Sequence, residues 1–239
     1  TLHVTNPKRL ARVAGVLYLL IFAIAPFAFF VAKESLIEDG DAAATAANIV
    51  ESETLFRLGM AAEAAIFMIE IVLAAVIYVL LVAVNRTVSL AAAVARLGEA
   101  VVQGVNLVAG AVVLTIVGGA GYLATFEQDQ LDALTLLFLE ANEFMGFVWG
   151  LFFALHLLLV GWLVFRSGFL PRILGALLAL ASVGYFAESF GNILSSSSGV
   201  TDPLAILVIV LAVPGELAFT VWLLVKGIDE DAWHARAGG

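Results

Sequence analysis

The sequence predicts an all-α, polytopic membrane protein, a bundle of six transmembrane helices with both termini cytoplasmic, in a single transmembrane domain over residues 1–239. Three observations predict it. The chain is 63% hydrophobic and only 13% charged, with a mean hydropathy of +1.08, whereas a soluble domain is roughly 45–50% apolar and about 25% charged. Six apolar stretches are long enough to cross a hydrocarbon core roughly 30 Å thick, which takes about 20 helical residues. The lysines and arginines concentrate in alternate breaks between those stretches, as they do when cationic loops are retained in the cytoplasm.

The first span is placed at Arg12–Ala32. Lys8 and Arg9 ahead of it resemble the start of a signal peptide, but the run is about 20 residues long and lacks a small-x-small cleavage site, so it reads as a retained helix. The other spans are placed at Phe56–Val84, Leu90–Gly118, Leu131–Phe165, Leu170–Leu194 and Pro203–Lys226. Several exceed about 20 residues, which implies tilt or projection beyond the hydrocarbon. Pro26 and Pro214 should kink the first and last spans. Between the first two, Asp41 followed by an alanine-rich run reads as an N-capped, extracytoplasmic helix over about 41–54. Ser195–Ser198 with Gly199 reads as an outer turn.

Nine of the eleven cations, Lys8, Arg9, Arg12, Arg86, Arg96, Arg166, Arg172, Lys226 and Arg236, fall on the side assigned to the cytoplasm. The opposite side has Lys33 and Arg57 among Glu34, Glu38, Asp39, Asp41, Glu51, Glu53, Glu127, Asp129, Asp132 and Asp202. The expected place is thus the plasma membrane of a prokaryote, crossed several times. The net charge of -9 and the absence of a basic patch argue against nucleic acid as a partner. There is no cysteine, hence no thiolate chemistry.

Ionisable side chains at bilayer depth cost about 2.5–3.5 kcal/mol each on insertion scales, so they turn toward protein or a wet cavity. Glu63 and Glu70 share one face of the second span. Arg96, Glu99, Gln103 and Asn106 form one stripe of the third, at spacings of three, four and three. The fourth carries Glu140, Asn142, Glu143 and His156, the fifth Glu188 and Asn192, and the sixth Glu216 after Pro214-Gly215. At 1.5 Å per residue from the cytoplasmic ends, Arg96, Glu99, His156 and Glu216 come out roughly 12–16 Å deep, with Glu70 and Gln103 next at about 21 Å. This set is the expected inner ligand site, with Arg96 held by Glu99 and Glu216 and with His156 able to exchange a proton or ligate a cation. The same groups also fit a structural network in which a buried arginine is satisfied by carboxylates.

An outer polar layer is expected from Glu63, Asn106, Glu140, Glu143, Glu188 and Asn192, as a carboxylate vestibule or as acids solvated at a helix start. No HExxH pair, phosphate loop or nucleophile elbow occurs, so no residue is assigned a catalytic role and no metal or cofactor is assigned. His3 and His234 read as surface residues, and Tyr122 and Trp233 as interfacial anchors.

Several words of the sequence, taken together, resemble a family of bacterial and archaeal polytopic membrane proteins known as domain of unknown function 4386. They are Arg12-Val-Ala-Gly-Val-Leu-Tyr-Leu-Leu, Asp41-Ala-Ala-Ala-Thr-Ala-Ala-Asn-Ile, Leu55-Phe-Arg-Leu-Gly, Asn85-Arg86, Phe165-Arg-Ser-Gly-Phe-Leu-Pro-Arg-Ile-Leu-Gly, and Gly215-Glu216 ahead of Trp222-Leu-Leu-Val-Lys-Gly. The resemblance implies six spans and a membrane location and brings no activity with it. The functional expectation is an integral membrane protein that binds or transports a small solute, lipid or cation through its polar interior. The alternative is a non-catalytic subunit or stabilising partner of a larger membrane complex, or a homo-oligomer, joined through small-residue helix faces such as Ala91–Ala93.

Overall fold

The computed structural model describes residues 6–194 and 203–238. His3, the Ser195–Ser198 turn with Gly199, and Asp202 lie outside the described residues. Eight α-helices follow one another among the described residues: α1 (Pro7–Pro26), α2 (Ala42–Glu51), α3 (Glu53–Leu81), α4 (Arg86–Val117), α5 (Gln128–Ser167), α6 (Arg172–Leu194), α7 (Pro203–Val225) and α8 (Glu230–Ala237). No strand occurs among these residues. Among the described residues six helical stretches are long and apolar enough to cross a membrane: Pro7–Leu36, which is α1 with its continuation, then α3, α4, α5, α6 and α7.

Local chemistry sets where these helices start. Asn6 Oδ1 accepts the Arg9 amide at 2.7 Å, and Pro7, which has no amide hydrogen to lose, opens α1. Asp41 caps α2 through the Ala44 amide at 2.9 Å, Asn85 caps α4 through Val88 at 3.0 Å, and Asp229 caps α8 through Ala232 at 3.0 Å. The long α5 stops at Gly168, whose φ of 79° suits glycine, and Pro171 leads into α6.

The helix of the first span continues to Val31, with Ala32 as its C-cap. Beyond Pro26 the helix passes into a π-helical turn, Phe27–Val31, and then a 3-10 turn, Glu34–Leu36. The wider turn keeps the chain helical past the proline, which cannot hydrogen-bond to the preceding turn. Lys33 follows the C-cap and is itself the N-cap of the 3-10 turn.

The chain divides into two compact units. The first holds Thr1–Leu20, Ile69–Ala100 and Phe147–Gly239; the second holds Ile21–Met68 and Val101–Gly146. In the first unit glycines bring helix backbones together. A methyl group on Gly175 of α6 would lie 2.5 Å from the Gly161 carbonyl of α5, and one on Gly215 of α7 would lie 3.0 Å from the Leu177 carbonyl of α6. Small residues at such crossings let dispersion contacts build up between helices that lipid cannot drive together hydrophobically. Trp233, expected at an interface, is instead buried in this unit, and its Nε1 donates to the Leu80 carbonyl at 2.8 Å. The ring docks α8 onto the end of α3, which the polar composition of this eight-residue helix does not reveal. The second unit packs Leu36, Ile49, Phe56, Val113 and Leu139 into one apolar cluster.

The outward faces are apolar. Val72, Val94, Leu180, Val183 and Val221 of the first unit are exposed, as are Val101, Val105 and Val108 of the second. A water-soluble protein rarely exposes such contiguous surface; a membrane-embedded one requires it.

Candidate functional site

In the first unit the stripe on α4 delivers Arg96 and Glu99 to the interior, where they are 2% and 0% exposed. The spacing of three places both on one side of the helix. Arg96 Nε lies 3.0 Å from Glu99 Oε1. The pair is ionic in distance but not aligned for a hydrogen bond, so Nε and Nη1 of Arg96 and both carboxylate oxygens of Glu99 have no hydrogen-bond partner among the described residues. The Arg96 guanidinium stands 5.3 Å from the ring centroids of both Tyr18 on α1 and Phe153 on α5, a cation–π arrangement that gains strength away from water.

Glu70 of α3, 1% exposed, and Glu216 of α7 interact electrostatically with both Arg96 and Glu99. Tyr185 of α6 donates its hydroxyl hydrogen to the Glu216 carboxylate. His156 of α5 is fully buried, and its Nδ1 lies 2.9 Å from the Ala92 carbonyl. A carbonyl only accepts, so Nδ1 carries the hydrogen, and Nε2 is left as a lone pair without a partner. An aromatic wall completes the cluster: Trp149 stacks on Phe153 at 4.9 Å, and Tyr185 meets Phe153 edge-on at 4.8 Å.

The first unit thus brings together five of the six residues expected in the inner site: Arg96, Glu99, His156, Glu216 and Glu70. It adds Tyr18, Phe153 and Tyr185, which sequence reading passed over. Glu188 and Asn192 of the expected outer layer also belong to this unit, and Asn192 Nδ2 donates to the Glu188 carbonyl of its own helix at 3.0 Å.

Gln103, the sixth, belongs to the second unit, where its Nε2 donates to the Glu63 carbonyl at 3.5 Å. That unit has its own polar centre. Asn106 of α4 and Asn142 of α5 each donate an amide hydrogen to the other's backbone carbonyl, at 2.9 and 3.1 Å. The Lys33 ammonium donates to Asn142 Oδ1 and lies 3.8 Å from Glu63 Oε1. Lys33, Glu63 and Asn142 line a small cavity with Phe56, Met60 and Leu139. Glu140 and Glu143 are exposed, in the N-terminal half of a 40-residue helix that reaches about 60 Å, twice the hydrocarbon thickness. Among the described residues no three histidine, aspartate or glutamate side chains are grouped so as to hold a metal ion.

Comparison with known proteins gives a family and no activity. The model of a family described as Domain of unknown function (DUF4386) matches residues 13–227. An uncharacterized protein of Archaeoglobus fulgidus is 38% identical over 77 residues, a stretch that covers 32% of this chain and 43% of the relative. The chain therefore matches less than half the length of that relative. No solved structure matches.

Proposed function

The chain belongs to the DUF4386 family, and from that premise we propose that this polytopic membrane protein binds a small ammonium-type cation in the interior of its first unit. One observation carries the reading: three carboxyl groups, Glu70, Glu99 and Glu216, converge on a single buried guanidinium, Arg96. With every group ionised the cluster has two negative charges more than its arginine compensates, in surroundings where unpaired charge is expensive.

A bound cation would offset that excess. Its N–H groups would find acceptors in Glu70 Oε2, Glu99, Glu216 Oε1 and His156 Nε2, all buried without a hydrogen-bond partner among the described residues. The Trp149–Phe153–Tyr185 wall supplies rings that attract an ammonium group. We also read both termini as cytoplasmic. Six crossings return the chain to its starting side, and Arg9, Arg12, Arg86, Arg166, Arg172, Lys226 and Arg236 are exposed around the ends that this orientation places in the cytoplasm. The plasma membrane of a prokaryote is the corresponding location.

Titrating methylammonium chloride into purified protein at constant ionic strength tests the site. A saturable rise in melting temperature is expected, worth about 2.7 kcal/mol at a hundred times Kd. Glu216→Gln should abolish it while the variant still melts cooperatively. No shift in the wild type, or an equal shift in the variant, contradicts the proposal.

A further inference from the structure

The turn between α5 and α6 in the first unit carries a feature that the interior site does not use. Arg166 Cζ stands 5.9 Å from the ring centroid of Trp162, and Arg172 Cζ stands 5.7 Å from that of Phe165. Trp162 and Phe165 are one turn apart on α5, so their rings adjoin on one face. They are 43% and 46% exposed. Each guanidinium therefore lies against an exposed apolar ring at the end of a long apolar helix.

Neither arginine forms an ion pair with a carboxylate among the described residues. Asp229, whose amide donates to the Phe169 carbonyl of this turn at 3.2 Å, has its carboxylate engaged as the cap of α8 through Ala232 at 3.0 Å. A guanidinium stacked on a ring keeps the N–H groups of its edge available, and that planar fork matches the oxygens of a phosphate. The rings beneath, with exposed Leu158 and Ile173 beside them, suit acyl chains. A free phosphate would gain nothing from that apolar surface.

We propose that the α5–α6 turn binds the phosphate headgroup of an anionic phospholipid, with Arg166 and Arg172 as its two clamps and Trp162 and Phe165 as the platform for the lipid's upper chain. The site is independent of the interior cluster and stands or falls separately from it.

Native mass spectrometry of the full chain in detergent tests it, with phosphatidylglycerol and phosphatidylcholine of the same acyl chains and with inorganic phosphate alone. Phosphatidylglycerol should be retained saturably and phosphatidylcholine should not. Arg166→Ala with Arg172→Ala should lower phosphatidylglycerol occupancy at least about tenfold, two cations being lost near the headgroup plane. Replacing both with lysine should give an intermediate loss, because charge remains without the planar fork. Arg57→Ala, which removes an exposed cation of the second unit, should leave occupancy unchanged. Equal phosphatidylglycerol binding by the double alanine variant, an equal loss in Arg57→Ala, or the same retention of phosphate without lipid would overturn the proposal.

Discussion

Arg96→Leu is expected to lower the melting temperature of the purified protein by about 10 °C or more, or to prevent folded protein from accumulating. The arginine is buried to 2% exposure among Glu99, Glu70 and Glu216. Removing one member of a buried charge pair costs about 3–5 kcal/mol, because the partner is left uncompensated, and each kcal/mol moves the midpoint of a protein of this size by about 2–4 °C. Here one cation serves three carboxyl groups, which puts the loss at the upper end. Combining Arg96→Leu with Glu99→Gln should recover part of it, since the second change removes the nearest orphaned charge. Arg96→Lys should fall between, keeping the charge but losing the flat contact with Tyr18 and Phe153. Melting curves followed by tryptophan fluorescence would check all three; a single-leucine variant as stable as the wild type would mean that the carboxyl groups do not depend on this cation.

The second large effect is expected at Asn142. Its side chain accepts from the Lys33 ammonium and donates to the Asn106 carbonyl. Asn142→Leu keeps the volume and removes both bonds, one of them to a charged group, for a loss of about 2–4 kcal/mol. Lys33 then has Glu63 at 3.8 Å as its nearest carboxylate, with Glu143 also within electrostatic reach. Adding Lys33→Met should restore stability in part, because an unmet donor costs more than an absent one. Chemical denaturation of both variants separates the terms; a loss below about 0.5 kcal/mol in the single variant would show that the bond to Lys33 contributes nothing net.

The sequence already implied much of the architecture, for a physical reason. A helix in hydrocarbon must be apolar for about 20 residues, so Phe56, Leu90, Leu131 and Pro203 mark span starts within a few residues of where α3, α4, α5 and α7 begin. The stripe Arg96–Glu99 was legible because a period of 3.6 decides which side chains share a face. Depth along the spans then selected His156 and Glu216 as companions, and both lie with Arg96 in the first unit.

Depth is one coordinate, however, and cannot rank lateral neighbours. Gln103 and Glu70 come out equally deep, yet Gln103 bonds to the Glu63 backbone in the second unit while Glu70 joins Arg96 in the first. Glu188 and Asn192 likewise match Glu63 in depth and belong to the other unit. Lys33, just past the apolar run that stops at Ala32, reads as a loop cation, and nothing local signals that its ammonium meets Asn142 and Glu63. Tyr18, Phe153 and Tyr185 are apolar enough to pass for core, and only their partners, Arg96 and Glu216, reveal them as parts of a polar site.

The account rests on hydrocarbon bathing the outer faces of these helices while the charged groups face protein. The chain has no cysteine, so single cysteines at Val101, Val183 and Val221, each more than half exposed, can carry nitroxide labels in the protein reconstituted into bilayers. Collision rates with oxygen and with a water-soluble nickel chelate measure what surrounds each label. The account predicts frequent oxygen collisions and almost no nickel collisions at all three, with the reverse at a label on exposed Asp39. Nickel collisions at Val101, Val183 and Val221 as frequent as at Asp39 would contradict it.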